Sequence, residues 1–151
     1  MHEIHILLVE DNEGDVLLTK EAFKELSVQA KLSVVNNGVD ALLFLKKEAV
    51  FANVERPQLI LLDINMPGLN GIEVLEFIKN DPALRQIPVV MLTTSASASD
   101  VRACYEKAAN CFITKPLEFD KFVAVIKSIE QFWFTVAHLP PVQPAIFSGG
   151  S

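Results

Sequence analysis

The chain has 151 residues, half of them hydrophobic, so it is long enough to form one domain with a substantial core. Its formal net charge of -6 is spread along the sequence, which argues against a nucleic-acid-binding surface. No apolar run approaches the roughly 20 residues that a membrane-spanning helix needs, no secretory signal precedes the first apolar run, and the two cysteines have no metal-binding or redox spacing. We therefore expect a cytoplasmic protein with no nucleic-acid or membrane partner.

Five short apolar runs predict strands, and helix signals separate them. The runs occupy residues 4–9, 32–35, 59–62, 87–93 and 111–114. The uninterrupted run LILL at 59–62 is typical of a central strand that is covered on both faces. Strands that alternate with five helices predict an α/β domain, a doubly wound five-stranded parallel sheet with right-handed crossovers. We expect a single domain over residues 1–137 and a flexible tail over residues 138–151.

Asparagine and serine side chains mark where the helices begin. Helix N-caps are expected at Asn12, at Asn37, at Asn70 and at Ser97 or Ser99. Glu73 follows Asn70 at the spacing of a capping box. The inward face of the first helix is expected at Leu18, Ala22 and Leu26. Asn110 is the expected left-handed residue after the fourth helix.

The last helix, predicted over residues 118–136, is more apolar than the cover of one sheet face requires. Its apolar side chains recur at spacings of three and four, at Phe119, Phe122, Ile126, Ile129, Trp133 and Val136. Outside that stripe lie Val125, Phe132 and Phe134. These side chains either complete the domain's own core or form a contact between two copies of the chain. We favour a homodimer face made of Phe119, Phe122, Ile129, Phe132, Trp133 and Phe134.

Polar residues follow the predicted strands at the edge where open parallel sheets bind ligands. They are Glu10, Asp11, Asp63, Thr93 and Lys115. Three carboxylates in one pocket repel one another unless a cation neutralises them, and oxygen ligands that leave room for water suit Mg²⁺. Asp11 and Asp63 can bind this ion directly. The backbone carbonyl of Asn65 adds a third oxygen, and Glu10 can act through water. Lys115 and the ion leave a surplus of positive charge that fits a phosphoryl group, with Asp63 as the nucleophile.

Four motifs together resemble the receiver domain of two-component response regulators, over about residues 4–130. They are Glu10-Asp11, the stretch DINMPGLNG that begins at Asp63, Thr93 after VVML, and FITKP at 112–116. The resemblance implies a flavodoxin-like sheet with strand order 2-1-3-4-5. It also implies that Asp63 receives a phosphoryl group from a kinase phosphohistidine, with Mg²⁺ held by Asp11, Asp63 and the Asn65 carbonyl.

The same resemblance implies how the domain switches. Thr93 moves toward the phosphoryl group, Lys115 bridges to it, and Phe112 occupies the position of the family's aromatic switch residue. A core phenylalanine in a strand is the simpler interpretation of Phe112. The peptide bond between Lys115 and Pro116 is expected to be cis, an isomer that is costly anywhere but before proline.

A long phosphoryl lifetime is expected from the residues beside this site. Asn65 and Ser95 flank the path of a hydrolytic water, and neither supplies a carboxylate base. Thr94 is bulkier than the alanine or glycine often found after the family's switch threonine, which narrows access to the phosphoryl group.

A narrower resemblance rests on three further segments. KKEAVFANVERPQLILLD, KPLEFDKF and IEQFWF are similar to segments of small response regulators paired with phytochrome-type histidine kinases, which are often dimers built on the last helix. The receiver pattern uses the chain to about residue 130, so we expect a stand-alone response regulator that acts through protein contacts and is not an enzyme. Its dimer is expected to involve the fourth helix, the fifth strand and the last helix.

Three alternatives share parts of this pattern. A phosphohydrolase of the haloacid-dehalogenase type needs a second aspartate two residues after the nucleophile, where this chain has Asn65, whose amide cannot shuttle a proton. A flavodoxin-like cofactor binder needs donors in its first strand-to-helix turn, where Glu10 and Asp11 would repel a phosphate. A dimeric scaffold that works without phosphorylation is the alternative function.

Overall fold

Five parallel strands form one sheet in the computed structural model, which describes residues 3–27, 29–93 and 97–136. The strands are β1 (Ile4–Val9), β2 (Ala30–Val35), β3 (Leu59–Leu62), β4 (Val89–Thr93) and β5 (Cys111–Thr114). They lie in the order β2-β1-β3-β4-β5, and each neighbouring pair is parallel. This order confirms the doubly wound, flavodoxin-like fold, and it places the carboxyl end of β3 between those of β1 and β4.

A helix follows each strand, and the first four helices begin where the side-chain caps predict. The helices are α1 (Glu13–Phe23), α2 (Gly38–Lys46), α3 (Gly71–Asn80), α4 (Ala98–Glu106) and α5 (Phe119–Ile129). A 3-10 turn covers Ala49–Phe51, and α5 continues as a π-helix over Glu130–Val136. The expected N-caps each accept a hydrogen bond from the backbone three residues later, at Asn12, Asn37, Asn70 and Ser97. Within the described ranges, no helix has the length and apolar character needed to cross a membrane.

The apolar strand residues alternate between two cores, one on each face of the sheet. In β3, Ile60 and Leu62 belong to the core that also contains residues of α2, α3 and α4. Leu59 and Leu61 belong to the other core, which contains residues of α1 and α5. All four side chains are fully buried. The central strand is therefore an uninterrupted apolar run because it supplies both cores.

Two local predictions are wrong. Leu18 is 41% exposed, and the inward face of α1 includes Thr19 instead. The left-handed residue after α4 is Ala108, with φ of 68°, and not Asn110. The Asn110 side chain accepts a hydrogen bond from the Val89 N–H at 2.9 Å, so this residue joins the start of β5 to the start of β4.

The last helix divides its aromatic residues between the core and the surface. Phe122 and Ile129 are buried in the core shared with α1, and Trp133 packs against that core. Phe119 and Phe132 are 40% and 52% exposed. Three of the six residues of the predicted dimer face therefore already serve the domain's own core, and a homodimer through the remaining residues stays a prediction.

Glu130 fastens the start of the π-helix to the segment after α1. Its buried carboxylate accepts hydrogen bonds from the Ser27 N–H at 2.9 Å and from the Ser27 hydroxyl at 3.0 Å. The side chain of Phe134 and all residues from 137 onward lie outside the described residues. The domain boundary at 137, the tail over 138–151 and the place of Phe134 in a dimer face stay predictions.

Candidate functional site

Asp63 lies where β3 ends, and a close backbone contact holds it there. Its side chain is buried, and its N–H donates to the Val9 carbonyl of β1 at 3.1 Å. The first residue of α3, Gly71, packs directly on this strand end and donates its N–H to the Ile64 carbonyl at 2.9 Å. A Cβ on Gly71 would lie 2.1 Å from the Asp63 backbone oxygen, so only glycine permits this approach.

Glu10, Asp11 and Asp63 form a cluster of carboxylates at neighbouring strand ends. Each can offer one oxygen within 4.8 Å of the oxygens of the other two. Burial raises the pKa of Glu10 to about 7, with a further contribution from Asp63, whereas Lys115 acts in the opposite direction. Oxygen-only donors in mutual repulsion fit a hard divalent cation, so the predicted carboxylates are brought together as a metal site requires. The open cleft around them is lined by Glu10, Asp11, Asn12, Glu13, Gly14, Asp15, Asp63 and Asn65.

Lys115 is buried beside this cluster and is paired with two carboxylates. Its Nζ lies 2.5 Å from Glu10 Oε1 and 3.0 Å from Asp15 Oδ2. Burial favours its neutral form, but the hydrogen bond and charge of Glu10 outweigh burial and raise the pKa of Lys115. Among the described residues, Lys115 forms no ion pair with Asp63. The positive charge of Lys115 therefore lies at the site, but its ion-pair partners are Glu10 and Asp15.

Asp15 is a site residue that the strand-end pattern did not identify. It lies in the first turn of α1 and not at a strand end. The sequence held no clear signal for it, because Asp11 precedes the N-cap Asn12 and the four-residue spacing of a helix does not apply between Asp11 and Asp15.

Thr93 and Asn65 meet across the site. Thr93 ends β4 with its side chain fully buried, and its hydroxyl accepts a hydrogen bond from Asn65 Nδ2 at 3.3 Å. The residue two positions after Asp63 thus contacts the predicted switch threonine. Thr94 and Ser95 lie outside the described residues, so their part in access and hydrolysis stays a prediction.

Phe112 lies in β5, partly buried against the core of α2, α3 and α4. Its N–H donates to the Tyr105 hydroxyl of α4 at 3.1 Å, which links the strand of the predicted switch residue to the neighbouring helix. The expected cis bond between Lys115 and Pro116 is not found, since no peptide bond in the described residues is cis. The trans form is favoured before proline by about 0.5–1 kcal/mol, so a sequence motif alone does not decide the isomer.

Comparison with known proteins identifies the family. A model of the response regulator receiver domain matches residues 6–127. The chain belongs to the response regulator receiver family. Receiver domains accept phosphoryl groups from histidine kinases, so this receiver is a signalling protein.

Individual relatives show where the receiver falls within its family. It is 42% identical to the response regulator Rcp1 of Synechocystis over 135 residues, which cover 89% of this chain and 92% of Rcp1. The structure of the phosphorylated cyanobacterial phytochrome response regulator RcpA superposes with a TM-score of 0.89 at 41% identity, covering 93% of this receiver and 100% of that chain. The Mn²⁺-bound form of Rcp1 superposes with a TM-score of 0.86 at 40% identity, covering 91% of this receiver and 99% of that chain.

Proposed function

We propose that this receiver accepts a phosphoryl group on Asp63 from a histidine kinase and changes its protein contacts in response. The observation that carries the proposal is the cluster of Glu10, Asp11 and Asp63 beside a buried, charged lysine at the ends of parallel strands. Similarity to RcpA, which has been solved in a phosphorylated form, supports the same reaction in this chain.

Asp63 is the nucleophile in the proposed transfer. One of its carboxylate oxygens attacks phosphorus, the P–N bond of a phosphohistidine breaks, and the imidazole leaves with the electron pair of that bond and takes up a proton. The product is an acyl phosphate on Asp63. The Lys115 ammonium moves toward the phosphoryl oxygens, and the Thr93 hydroxyl, which already lies within reach of Asn65, donates a hydrogen bond to another of them.

Mg²⁺ is the proposed ion, because a small set of oxygen ligands that leaves sites for water suits it. Asp11 and Asp63 would hold it directly, with the Asn65 backbone carbonyl as a third ligand. Glu10 would contribute through water. When bound, the ion neutralises charge on the phosphoryl oxygens. The Mn²⁺-bound form of Rcp1 supports a divalent ion in a close relative's site.

Loss of the phosphoryl group by hydrolysis is proposed to be slow. The Asn65 side chain is an amide that donates to Thr93, so it supplies no carboxylate base to an attacking water. A phosphorylated half-life of seconds in the isolated protein would contradict this proposal.

Switching is proposed as a population shift between two packings of the face formed by α4, β5 and α5. Thr93 and Phe112 are the moving side chains, and the second copy of the chain is the proposed partner of the exposed aromatics Phe119 and Phe132. The dimer constant should then change on phosphorylation. An equal constant with and without a phosphoryl mimic would contradict this coupling.

A phytochrome-type kinase is the proposed donor, and the support is similarity to RcpA, a cyanobacterial phytochrome response regulator. The direct test compares transfer from a purified phytochrome-type histidine kinase with transfer from a histidine kinase of another sensor class. Faster labelling by the first kinase is expected, and equal rates would remove this assignment while leaving the receiver chemistry intact.

The function itself is tested with acetyl phosphate as the phosphodonor, intact mass as the readout and light scattering on the same sample. We expect one phosphoryl adduct that requires Mg²⁺ and is absent from Asp63→Asn. Asp120→Asn, which removes an exposed carboxylate from the first turn of α5, is the matched control and should be labelled like the wild type. An unlabelled wild type at every Mg²⁺ concentration would instead favour the phosphorylation-independent scaffold.

A further inference from the structure

Lys115 is held by two carboxylates, neither of which is the proposed phosphoacceptor. Its Nζ contacts Glu10 Oε1 at 2.5 Å and Asp15 Oδ2 at 3.0 Å, and the described residues include no ion pair between Lys115 and Asp63. The proposed reaction needs the same ammonium at the phosphoryl group. The ammonium must therefore shift toward the phosphoryl group when Asp63 is phosphorylated, and this shift weakens or replaces its present contacts.

We propose that Asp15 is a positioning residue that competes with phosphorylated Asp63 for the Lys115 ammonium and so limits how tightly the phosphoryl group is held. The inference rests on the proposed phosphorylation of Asp63. It adds to that function a residue that none of the receiver motifs in this chain includes.

The backbone around Asp15 is held in place by hydrogen bonds, which helps Asp15 to keep its ion pair with Lys115. The Asp15 N–H donates to Asn12 Oδ1 at 2.9 Å, and its carbonyl accepts from the Thr19 hydroxyl at 2.8 Å, so the first turn of α1 is fixed on both sides of it. Its side chain is 29% exposed, whereas that of Lys115 is 6% exposed. The pair therefore lies at the rim of the site, with the lysine reaching outward from a buried position.

Asp15 and Glu10 differ in what else they do. Glu10 belongs to the three-carboxylate cluster and has a second role near the divalent ion, so its hold on Lys115 is shared. Asp15 is not a member of that cluster. The ion pair between Asp15 and Lys115 therefore remains when Glu10 interacts with the divalent ion, and the phosphoryl group must compete with Asp15 for the ammonium.

The expected effect is modest because the pair is partly exposed. Exposed ion pairs change an equilibrium constant by at most about fivefold, and the burial of Lys115 places this pair in the upper part of that range. Asp15→Asn should therefore tighten the binding of beryllofluoride, a phosphoryl analogue, by about three- to fivefold at saturating Mg²⁺. Saturating Mg²⁺ removes any change in metal affinity from the comparison.

Glu13→Gln is the matched control. Glu13 lies in the same first turn of α1 and lines the same cleft, and within the described residues it forms no ion pair with Lys115. Glu13→Gln removes one negative charge from the cleft and from the N-terminus of α1, as Asp15→Asn does, but it removes no contact with Lys115. Its beryllofluoride affinity should stay within about twofold of the wild type.

A double-mutant cycle of Asp15→Asn and Lys115→Met tests whether Asp15 acts through Lys115 or only through the structure of α1. Full-length variants are titrated with beryllofluoride by calorimetry, and the gain from Asp15→Asn should disappear when Lys115 is methionine. Asp15→Ser serves as a second variant if Asp15→Asn lowers the thermal unfolding midpoint.

Three outcomes would overturn the inference: an affinity gain no larger than that of Glu13→Gln, a loss of affinity, or a gain that persists in the Lys115→Met background. Failure of the proposed function is a separate result. It would appear in the wild type, as the absence of both beryllofluoride binding and acetyl phosphate labelling.

Discussion

Replacing Gly71 with alanine should disturb the phosphoacceptor strand end directly. The added Cβ would lie 2.1 Å from the Asp63 backbone oxygen and 2.8 Å from the Ile64 Cα. Real Cβ atoms do not approach closer than 3.0 Å, so α3 and the end of β3 would have to separate by at least the 0.9 Å difference. The obstructing atoms are backbone and cannot rotate away.

The cost of this separation follows from the packing. Overpacking a close contact costs about 1–3 kcal/mol, and a backbone obstacle places Gly71→Ala near the top of that range. Alanine restricts the unfolded chain and returns about 0.4–1 kcal/mol. We therefore expect a net loss of about 2 kcal/mol in the free energy of unfolding, or roughly 4–8 °C in Tm. The rate of Mg²⁺-dependent labelling should fall as well, because Asp63 is displaced.

Gly68→Ala is the matched control for this prediction. Gly68 has φ of 74°, and no atom lies within 4 Å of the position that an added Cβ would take, so its cost is backbone strain of about 1–2 kcal/mol without contact with Asp63. Urea unfolding and acetyl phosphate labelling are measured on both variants. Wild-type stability and labelling rate in Gly71→Ala, or an equal loss of labelling in both variants, would refute this prediction.

Three further predictions concern residues away from the site. Ala108→Gly should raise the free energy of unfolding by about 0.5–1 kcal/mol in urea titrations, because glycine adopts the left-handed φ of 68° without steric cost. Burial lowers the pKa of His5, and the positive charge of Lys31 lowers it further. The stability that neutral His5 provides is complete above the unfolded pKa of about 6.5 and is lost as pH falls below it, so His5→Gln should show a smaller fall in stability between pH 7.5 and 5.5 than the wild type. Glu130→Ala should lower the free energy of unfolding by about 1–2 kcal/mol, because the Ser27 N–H and the Ser27 hydroxyl both lose their acceptor. Hydrogen exchange at the Ser27 amide should become faster, and an unchanged exchange rate would contradict the described contact.

Much of the fold was predictable because its signals are local. Apolar runs mark the strands, and an asparagine or serine side chain caps each of the first four helices. Parallel strands then bring their following residues to one edge of the sheet, which is why Glu10, Asp11 and Asp63 could be grouped from sequence.

The remaining features depend on tertiary contacts. The pairing of Asp15 with Lys115 follows from how α1 is placed over the strand ends, and no sequence spacing specifies that placement. Asn110 looks like a left-handed residue by its type, but its side chain is used to bond the Val89 N–H, and Ala108 takes the left-handed position. The isomer before Pro116 rests on an energy difference of about 0.5–1 kcal/mol, which a motif cannot resolve.

The division of β3 between two cores has a consequence for chimeras of related receivers. Leu59 and Leu61 contact one helical layer, Ile60 and Leu62 contact the other, and no buried side chain belongs to both cores in the described part of the chain. Because the two sets of side chains lie on opposite faces of the sheet and belong to separate cores, exchanging α1 and α5 together with their own strand residues should affect the packing of the opposite layer only through the sheet backbone. One half of such a molecule could be given a new recognition surface without rebuilding the other half.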